Sequence, residues 1–405
     1  MRISEKARQF TVPDRVRALG LYPYFRPIES DQDAEVIIEG RRVLMMGSNN
    51  YLGLTNHPEV KAAAVDAIRR YGCGCAGSRF LNGTLRIHLQ LEEELAEFIG
   101  KEATLLFTAG FLVNQGVIST LVSRNETVVI DRTDHASIIE GCRLAFGRTV
   151  KYEHNDMQAL ERVLKGLNGA GGMVVVDGVF SMEGDVARLP EIVSLAGKYN
   201  LDVMVDDAHG LGVMGPGGRG TAAHFGVDDK VDLIMGTFSK SLASIGGFIA
   251  GERGVIELLK HQSRALIFAA SPPPASVAAV RAALTIIKRE PERIRQLWDN
   301  TRRLWSGLEA IGLDRGKSET PIVPILIGDD LKAFKVCRRL QEEGVFVNPV
   351  VSPAVPADGA LIRLSVMATH TFEQVDHAVE KLDRVMRESD LERKPSPARE
   401  EAKAK

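Results

Sequence analysis

Lys240 follows an apolar run, Leu233-Ile-Met235, in the segment Gly236-Thr-Phe-Ser-Lys-Ser241, with Gly246-Gly247 a few residues on. A lysine at the end of a buried strand is costly unless it is neutralised or given chemistry to do; a solvated loop lysine would face no such demand. A second apolar run, Leu201-Asp-Val-Met-Val, ends in Asp206-Asp-Ala-His209. Asp206 and Lys240 lie 34 residues apart, room for a connecting loop and a return. Strand ends at one edge of an α/β sheet are where such folds hold their ligands. A lysine for a Schiff base, an acid for a pyridinium nitrogen and the hydroxyls of Ser239 and Ser241 for a phosphate are what pyridoxal phosphate requires.

Other strand ends add candidates. Thr108-Ala-Gly110-Phe-Leu-Val-Asn114 opens a helix after a strand, where backbone N–H groups hold phosphate and glycine permits close approach. Glycine at such a place also serves packing alone. His135, in Asp131-Arg-Thr-Asp-His-Ala-Ser137, is either a satisfied polar residue or a ring lying flat over a cofactor. Ser181 follows the strand Met173–Val176 and could donate near a cofactor's phenolic oxygen. Arg363, within the apolar Leu361–Leu364, needs an anion: a substrate carboxylate or a domain-spanning ion pair. The glycines of Gly215–Gly220 follow no strand with dinucleotide-fingerprint spacing and read as a mobile turn.

The elements that must position these residues alternate. Strands at Thr104–Phe107, Thr127–Ile130, Thr149–Tyr152 and Met173–Val176 are interleaved with helices at Phe111–Leu121, Ser137–Ala145 and Met157–Leu167. Val- and Ile-rich strands separated by helices indicate a largely parallel sheet covered on both faces, an α/β fold. Ahead of them come a short helix over Glu5–Leu19, a hairpin from Ala34–Ile38 and Arg42–Met46, and a helix over Pro58–Tyr71. A helix near His88–Phe98 should turn Leu89, Leu91, Leu95 and Phe98 largely inward. Ala275 to about Leu308 reads as one long helical bridge to a smaller α+β unit. That unit comprises Ile322–Ile327, Leu331–Glu343, Val345–Val347, Leu361–Ser365 and Thr371–Arg387. The expected segments are an N-terminal arm and hairpin (1–50), a large domain (51–290), a small C-terminal domain (291–388) and a charged, disordered tail (389–405).

Composition narrows the function classes. The chain has 405 residues, 44% of them apolar and 26% charged, enough for two domains without disulfide support. A net charge of −2 gives no basic field for nucleic acid or an anionic membrane. Cys73, Cys75, Cys142 and Cys337 do not form zinc-ligand pairs and read as free thiols of a reducing compartment. Charges interrupt the N-terminal apolar residues, so no signal peptide is read, and no apolar run is long enough to span a membrane. A cytoplasmic protein is expected, with peripheral membrane contact left open.

Six motifs occur in order: Asn49-Asn-Tyr-Leu-Gly-Leu54, Gly77-Ser-Arg79, Gly110-Phe-Leu-Val-Asn114, Asp134-His-Ala-Ser137, Asp206-Asp-Ala-His209 and Thr237-Phe-Ser-Lys240. Together they resemble the α-oxoamine synthases, pyridoxal-phosphate enzymes of fold type I (aspartate aminotransferase-like), from about Tyr22 to Arg387. Arg264-Ala-Leu-Ile-Phe268, Ser271-Pro-Pro-Pro274, Val347-Asn-Pro349 and Leu361-Ile-Arg363 resemble members that condense L-serine with palmitoyl-CoA.

The resemblance implies that Lys240 forms the Schiff base and removes the amino-acid α-proton. It implies Asp206 on the pyridinium nitrogen, Ala208 beneath the ring, His209 on the phenolic oxygen and His135 on the other ring face. Gly110, Phe111, Thr237 and Ser239 would hold the phosphate. Arg363, with Asn49 or Asn50, would bind the substrate carboxylate. The chain would form a homodimer in which Arg79, as a substrate-binding residue, and Ser271, as a cofactor-binding one, complete the neighbour's site. Two departures stand out. Ala269 occupies a position where members carry Ser or Thr, and Asp177 stands where many carry Glu. Sister activities, glycine with acetyl-CoA or alanine with a pimeloyl thioester, would use the same catalytic residues. An inactive partner subunit would typically have lost the lysine.

Overall fold

The computed structural model describes residues 1–169 and 171–389. Residues 390–405, nearly all of the segment expected to be disordered, lie outside the described residues. The chain divides into two compact units, Asn49–Trp298 and a second made of Met1–Ser48 with Asp299 onward.

The N-terminal helix expected over Glu5–Leu19 is two short ones, α1 (Ile3–Gln9) and α2 (Val12–Ala18). Pro13 explains the break: it lacks an N–H, so it belongs in the first turn of a helix and not in the middle. Strands β1 (Glu35–Ile38) and β2 (Arg41–Met45) pair antiparallel across Glu39-Gly40. Both turn residues have positive φ, 53° and 70°, as a two-residue hairpin turn of matching twist requires.

The large unit starts with α3 (Pro58–Tyr71) and α4 (Arg86–Ile99). In α4, Leu91, Leu95 and Phe98 are buried as expected, but Leu89 is on the exposed side; the inward positions are Ile87 and His88. The alternation follows: β3 (Ala103–Phe107), α5 (Gly110–Leu121), β4 (Thr127–Asp131), α6 (Ala136–Leu144), β5 (Arg148–Tyr152), α7 (Met157–Lys165), β6 (Gly172–Asp177), α8 (Leu189–Lys198) and β7 (Asp202–Asp206). It closes with α9 (Thr221–Phe225), β8 (Leu233–Thr237), β9 (Gly247–Gly251), α10 (Arg253–Gln262), α11 (Arg264–Ile267) and α12 (Pro274–Arg289). The seven strands lie in the order β3-β9-β8-β7-β6-β4-β5. Strands β8, β7, β6, β4 and β5 are mutually parallel, and β9 runs antiparallel to both β3 and β8. Both faces are covered, which is why Val128–Ile130, Val174–Val176 and Val203–Val205 are buried without alternation. Register places Asp177 opposite Asp206, and Asp206 opposite Met235. The carboxyl ends of β6, β7 and β8 therefore open onto one edge.

The helical bridge expected from Ala275 to about Leu308 is interrupted: α12 ends at Arg289 and α13 (Glu292–Ala310) begins after Pro291. Beyond it come β10 (Ile322–Gly328), α14 (Asp330–Glu342), β11 (Val345–Phe346), β12 (Asn348–Val350), β13 (Ala360–Ser365) and α15 (Phe372–Glu388). Strands β10, β13 and β12 form an antiparallel sheet. Strand β11 pairs with β2, so the N-terminal hairpin folds with the C-terminal elements where the sequence set it apart as an arm. Among the described residues no helix is long and apolar enough to cross a membrane.

Candidate active site

At the carboxyl edge of the large sheet lies a cavity of about 320 Å³, lined by residues from the ends of β4, β6, β7 and β8 and from the start of α5. Gly110, Phe111, His135, Ser181, Asp206, His209, Thr237, Ser239 and Lys240 all face it. Each ends or follows a buried strand, and the sheet brings these strand ends together, β4, β6, β7 and β8 by parallel pairing and β3 through the antiparallel β9, although they span 130 residues of sequence.

Asp206 is almost fully buried. Its Oδ2 accepts from Asn114 Nδ2 at 2.6 Å, and its Oδ1 accepts from the Ala208 N–H at 3.0 Å. Asn114 Nδ2 also donates to Ser137 Oγ (2.8 Å), and Ser137 Oγ lies 2.8 Å from His135 Nδ1. One buried amide thus ties the carboxylate to the histidine. Burial, and then the Lys240 charge, favours the neutral His135 ring against the pull of Asp206. Asp177 Oδ2 accepts from the His135 N–H at 2.8 Å. Asp134 Oδ1 in turn accepts from the Asp177 N–H at 2.9 Å. Burial and the neighbouring carboxylates push both Asp177 and Asp134 well above the usual carboxylate range.

Across the cavity, His209 Nδ1 is 2.7 Å from the hydroxyl of the buried Tyr51. At the other end, α5 begins at Gly110 with no side-chain cap on its first N–H groups. A Cβ on Gly110 would come within 2.6 Å of Thr237 Oγ1, so only glycine lets the helix start lie so close to β8. Thr237 Oγ1 and Ser239 Oγ are 3.0 Å apart. Uncapped helix N–H groups, a glycine cradle and paired hydroxyls suit a phosphate. A buried carboxylate, a neutral imidazole and a lysine suit the ring and carbonyl carbon of pyridoxal phosphate. The donor set fits that cofactor.

A family profile for aminotransferase class I and II matches residues 41–382. The chain belongs to that family. Within it the relatives are α-oxoamine synthases. Serine palmitoyltransferase of Sphingobacterium spiritivorum is 54% identical over 96% of this chain and 98% of the relative. An 8-amino-7-oxononanoate synthase of Symbiobacterium thermophilum is 45% identical, covering 93% of this chain and 96% of the relative. Among solved structures, Sphingomonas wittichii serine palmitoyltransferase superposes with a TM-score of 0.93 at 34% identity, covering 96% and 99% of the two chains. A serine palmitoyltransferase structure holding PLP as an internal aldimine also gives 0.93, at 33% identity over the same shares.

Within the same unit, Asn49, Asn50, Arg79 and Ser271 are not part of the cavity lining. Arg79, expected to bind substrate, has a buried guanidinium in a bidentate pair with Glu92 (2.8 and 3.0 Å), and its Nε donates to Thr84 Oγ1. Glu92 Oε1 also accepts from the Leu106 N–H. Arg79 therefore pins its loop to α4 and β3. Asn50 is buried and caps the Thr55 N–H through its side chain, while Asn49 Oδ1 accepts from Tyr51 at 3.4 Å. Ser271 Oγ is buried without a hydrogen-bond partner among the described residues, and its N–H donates to Gly77 O at 2.9 Å. Arg363 belongs to the other unit, buried in β13 with Nη1 donating to Ser365 Oγ (2.7 Å).

Sequence reasoning gave no role to Tyr51, Asn114, Asp134 or Ser137. For Asn114 a signal existed: an amide inside the apolar helix Phe111–Leu121 needs buried partners. For the others, only the strand register reveals which loops meet.

Proposed function

We propose that the protein catalyses the pyridoxal-phosphate-dependent, decarboxylating condensation of L-serine with palmitoyl-CoA to give 3-ketodihydrosphingosine, CO2 and CoA. The observation that carries the chemistry is the buried Asp206 carboxylate, held by Asn114 and the Ala208 N–H in one cavity with Lys240, His135 and His209. The choice of substrates rests on 48–54% identity to serine palmitoyltransferases, against 44–45% to 8-amino-7-oxononanoate synthases. That second group keeps alanine with a pimeloyl thioester as the alternative.

When bound, the cofactor supplies an acceptor for the electron pair left at the amino-acid α-carbon. Asp206 keeps a proton on the ring nitrogen, which makes that acceptor effective. By the family resemblance, the neutral imidazole of His135 would cover one ring face and the small Ala208 would leave room at the other. His209, oriented by Tyr51, holds the phenolic oxygen together with Ser181. Gly110, Phe111, Thr237 and Ser239 anchor the phosphate. Arg363, with Asn49 or Asn50, fixes the serine carboxylate, a role taken from the family resemblance. Lys240 carries the proton from the α-carbon. In the overall balance the α-carbon bonds to the thioester carbonyl, CoA leaves as its thiolate, the former carboxyl leaves as CO2, and the α-carbon is reprotonated.

A homodimer accompanies this reading. It is supported by exposed apolar side chains, Phe80, Leu81 and Phe268, flanking a segment whose Ser271 hydroxyl is unpartnered. Four free cysteines suit a cytoplasmic setting. The test is kcat/KM for CoA release across serine, alanine and glycine, each with acyl-CoAs of increasing length. Each methylene buried in an apolar channel contributes about 0.8 kcal/mol, so serine with long chains should dominate steeply. Alanine with a pimeloyl thioester as the best pair would replace this reading with its alternative.

A further inference from the structure

We propose that His154 is a positioning residue of the active site: held between Asp131 and Asp185, it locks together the two loops that carry His135 and Ser181. The inference rests on the functional reading above for the roles of those two residues, and that reading makes no use of His154.

His135 lies four residues beyond the end of β4 at Asp131, and Ser181 four residues beyond the end of β6 at Asp177. His154 comes from a third place, just after β5. Its Nδ1 is 3.0 Å from Asp131 Oδ1 and 2.7 Å from Thr133 Oγ1, and its Nε2 is 3.0 Å from Asp185 Oδ2. A ring facing a carboxylate at each nitrogen serves both only when both nitrogens carry protons. Burial opposes that charge, but the bonds to Asp131 and Asp185 outweigh it and raise the pKa to about 10.

The same two carboxylates bind the next residue. The Asn155 N–H donates to Asp131 Oδ2 (2.8 Å), and Asn155 Nδ2 donates to Asp185 Oδ2 (3.1 Å) and Val186 O (3.0 Å). Asn155 holds this double grip at φ +52°, a left-handed conformation that asparagine tolerates well.

Each end of the clamp reaches an active-site loop. On one side Thr133 donates to Asp131 Oδ1 through both its N–H (2.9 Å) and its hydroxyl (3.0 Å), fixing the turn that leads to His135. On the other, the His154 ring meets Phe180 edge to face, centroids 4.5 Å apart at 89°. The Phe180 N–H donates to Asp185 O (3.0 Å) and the Gly184 N–H to Phe180 O (2.9 Å), so Ser181 sits in a turn gripped at both ends by groups that touch His154.

The test is a double-mutant cycle on pyridoxal phosphate binding to the apoprotein, with wild type, His154→Gln, Ser181→Ala and the double variant. Each is titrated for Kd, the visible circular dichroism of the bound cofactor is recorded, and apoprotein melting serves as a fold control. His154→Gln is expected to weaken binding about tenfold and change the dichroic band. In the Ser181→Ala background the further loss should be below about threefold, because the two act through one turn. An unchanged Kd and band, or a full tenfold loss in both backgrounds, would overturn the proposal and leave His154 as a stability element. If Ser181→Ala alone has no effect, the role given to Ser181 is wrong, and His154 is judged by the same cycle with His135→Ala. If His154→Gln does not fold, Asp185→Asn, which keeps the shape and removes one charge, takes its place under the same criteria.

Discussion

Replacing the fully buried Asn114 by leucine keeps the branching and heavy-atom count of the side chain, with bulkier methyl ends, and removes both bonds of its amide, to Asp206 Oδ2 at 2.6 Å and to Ser137 Oγ at 2.8 Å. A bond to a carboxylate is worth about 1.5–3 kcal/mol and a neutral one about 0.5–1.5, so the loss should total about 2–4 kcal/mol. For a unit the size of Asn49–Trp298 that corresponds to a fall in melting temperature of about 5–15 °C. The carboxylate's share is separable. In an Asp206→Ala background the same substitution should cost only the Ser137 bond, about 1 kcal/mol, leaving a coupling of about 1.5–3 kcal/mol between the two positions. Calorimetry of the four apoproteins at pH 7 measures it. A coupling below about 0.5 kcal/mol would refute the claim that Asn114 is what holds Asp206 in place.

Raising the pH should erode the contribution of His154 to stability. Its folded pKa of about 10 lies above the ordinary 6.5, so the stabilisation is complete below 6.5 and disappears as the pH climbs to about 10. The melting-temperature gap between wild type and His154→Gln should therefore shrink steadily from pH 6 to pH 10; a constant gap contradicts the doubly paired imidazolium. Gly110→Ala places a methyl 2.6 Å from Thr237 Oγ1, and such overpacking costs about 1–3 kcal/mol. It should also abolish the protection that inorganic phosphate gives the wild-type apoprotein in a thermal melt, whereas retained protection argues against a phosphate cradle there. Arg79→Ala leaves the buried Glu92 unpaired and should destabilise by about 3–5 kcal/mol in urea unfolding. Intact stability with a raised KM for the amino acid would return Arg79 to a substrate-binding role.

The sheet was legible because a parallel strand buried on both faces reads as a short, near-continuous apolar run. Thr127–Asp131, Gly172–Asp177, Asp202–Asp206 and Leu233–Thr237 all have that form. The cavity residues were legible for a related reason: polar groups placed directly after such runs gather at one edge. The helix breaks near Pro13 and Pro291 were missed because apolar periodicity persists across each proline while the backbone cannot. The pairing of β2 with β11 joins segments 300 residues apart, and two short strands carry no sequence mark of their partners. Arg79 shows the limit for side chains. Its motif is local, but the Glu92 that occupies it lies one element away, and nothing in the spacing names that acid. His154 is harder still, since one of its carboxylates ends β4 and the other lies in the loop after β6.

The most direct measurement of the central claim is the release of labelled CO2 from carboxyl-labelled L-serine by the purified protein loaded with pyridoxal phosphate, followed alongside CoA release from palmitoyl-CoA. One CO2 should appear for each CoA, neither without the other substrate, and both should vanish in Lys240→Ala. CoA release without CO2, or undiminished turnover in Lys240→Ala, would contradict the account.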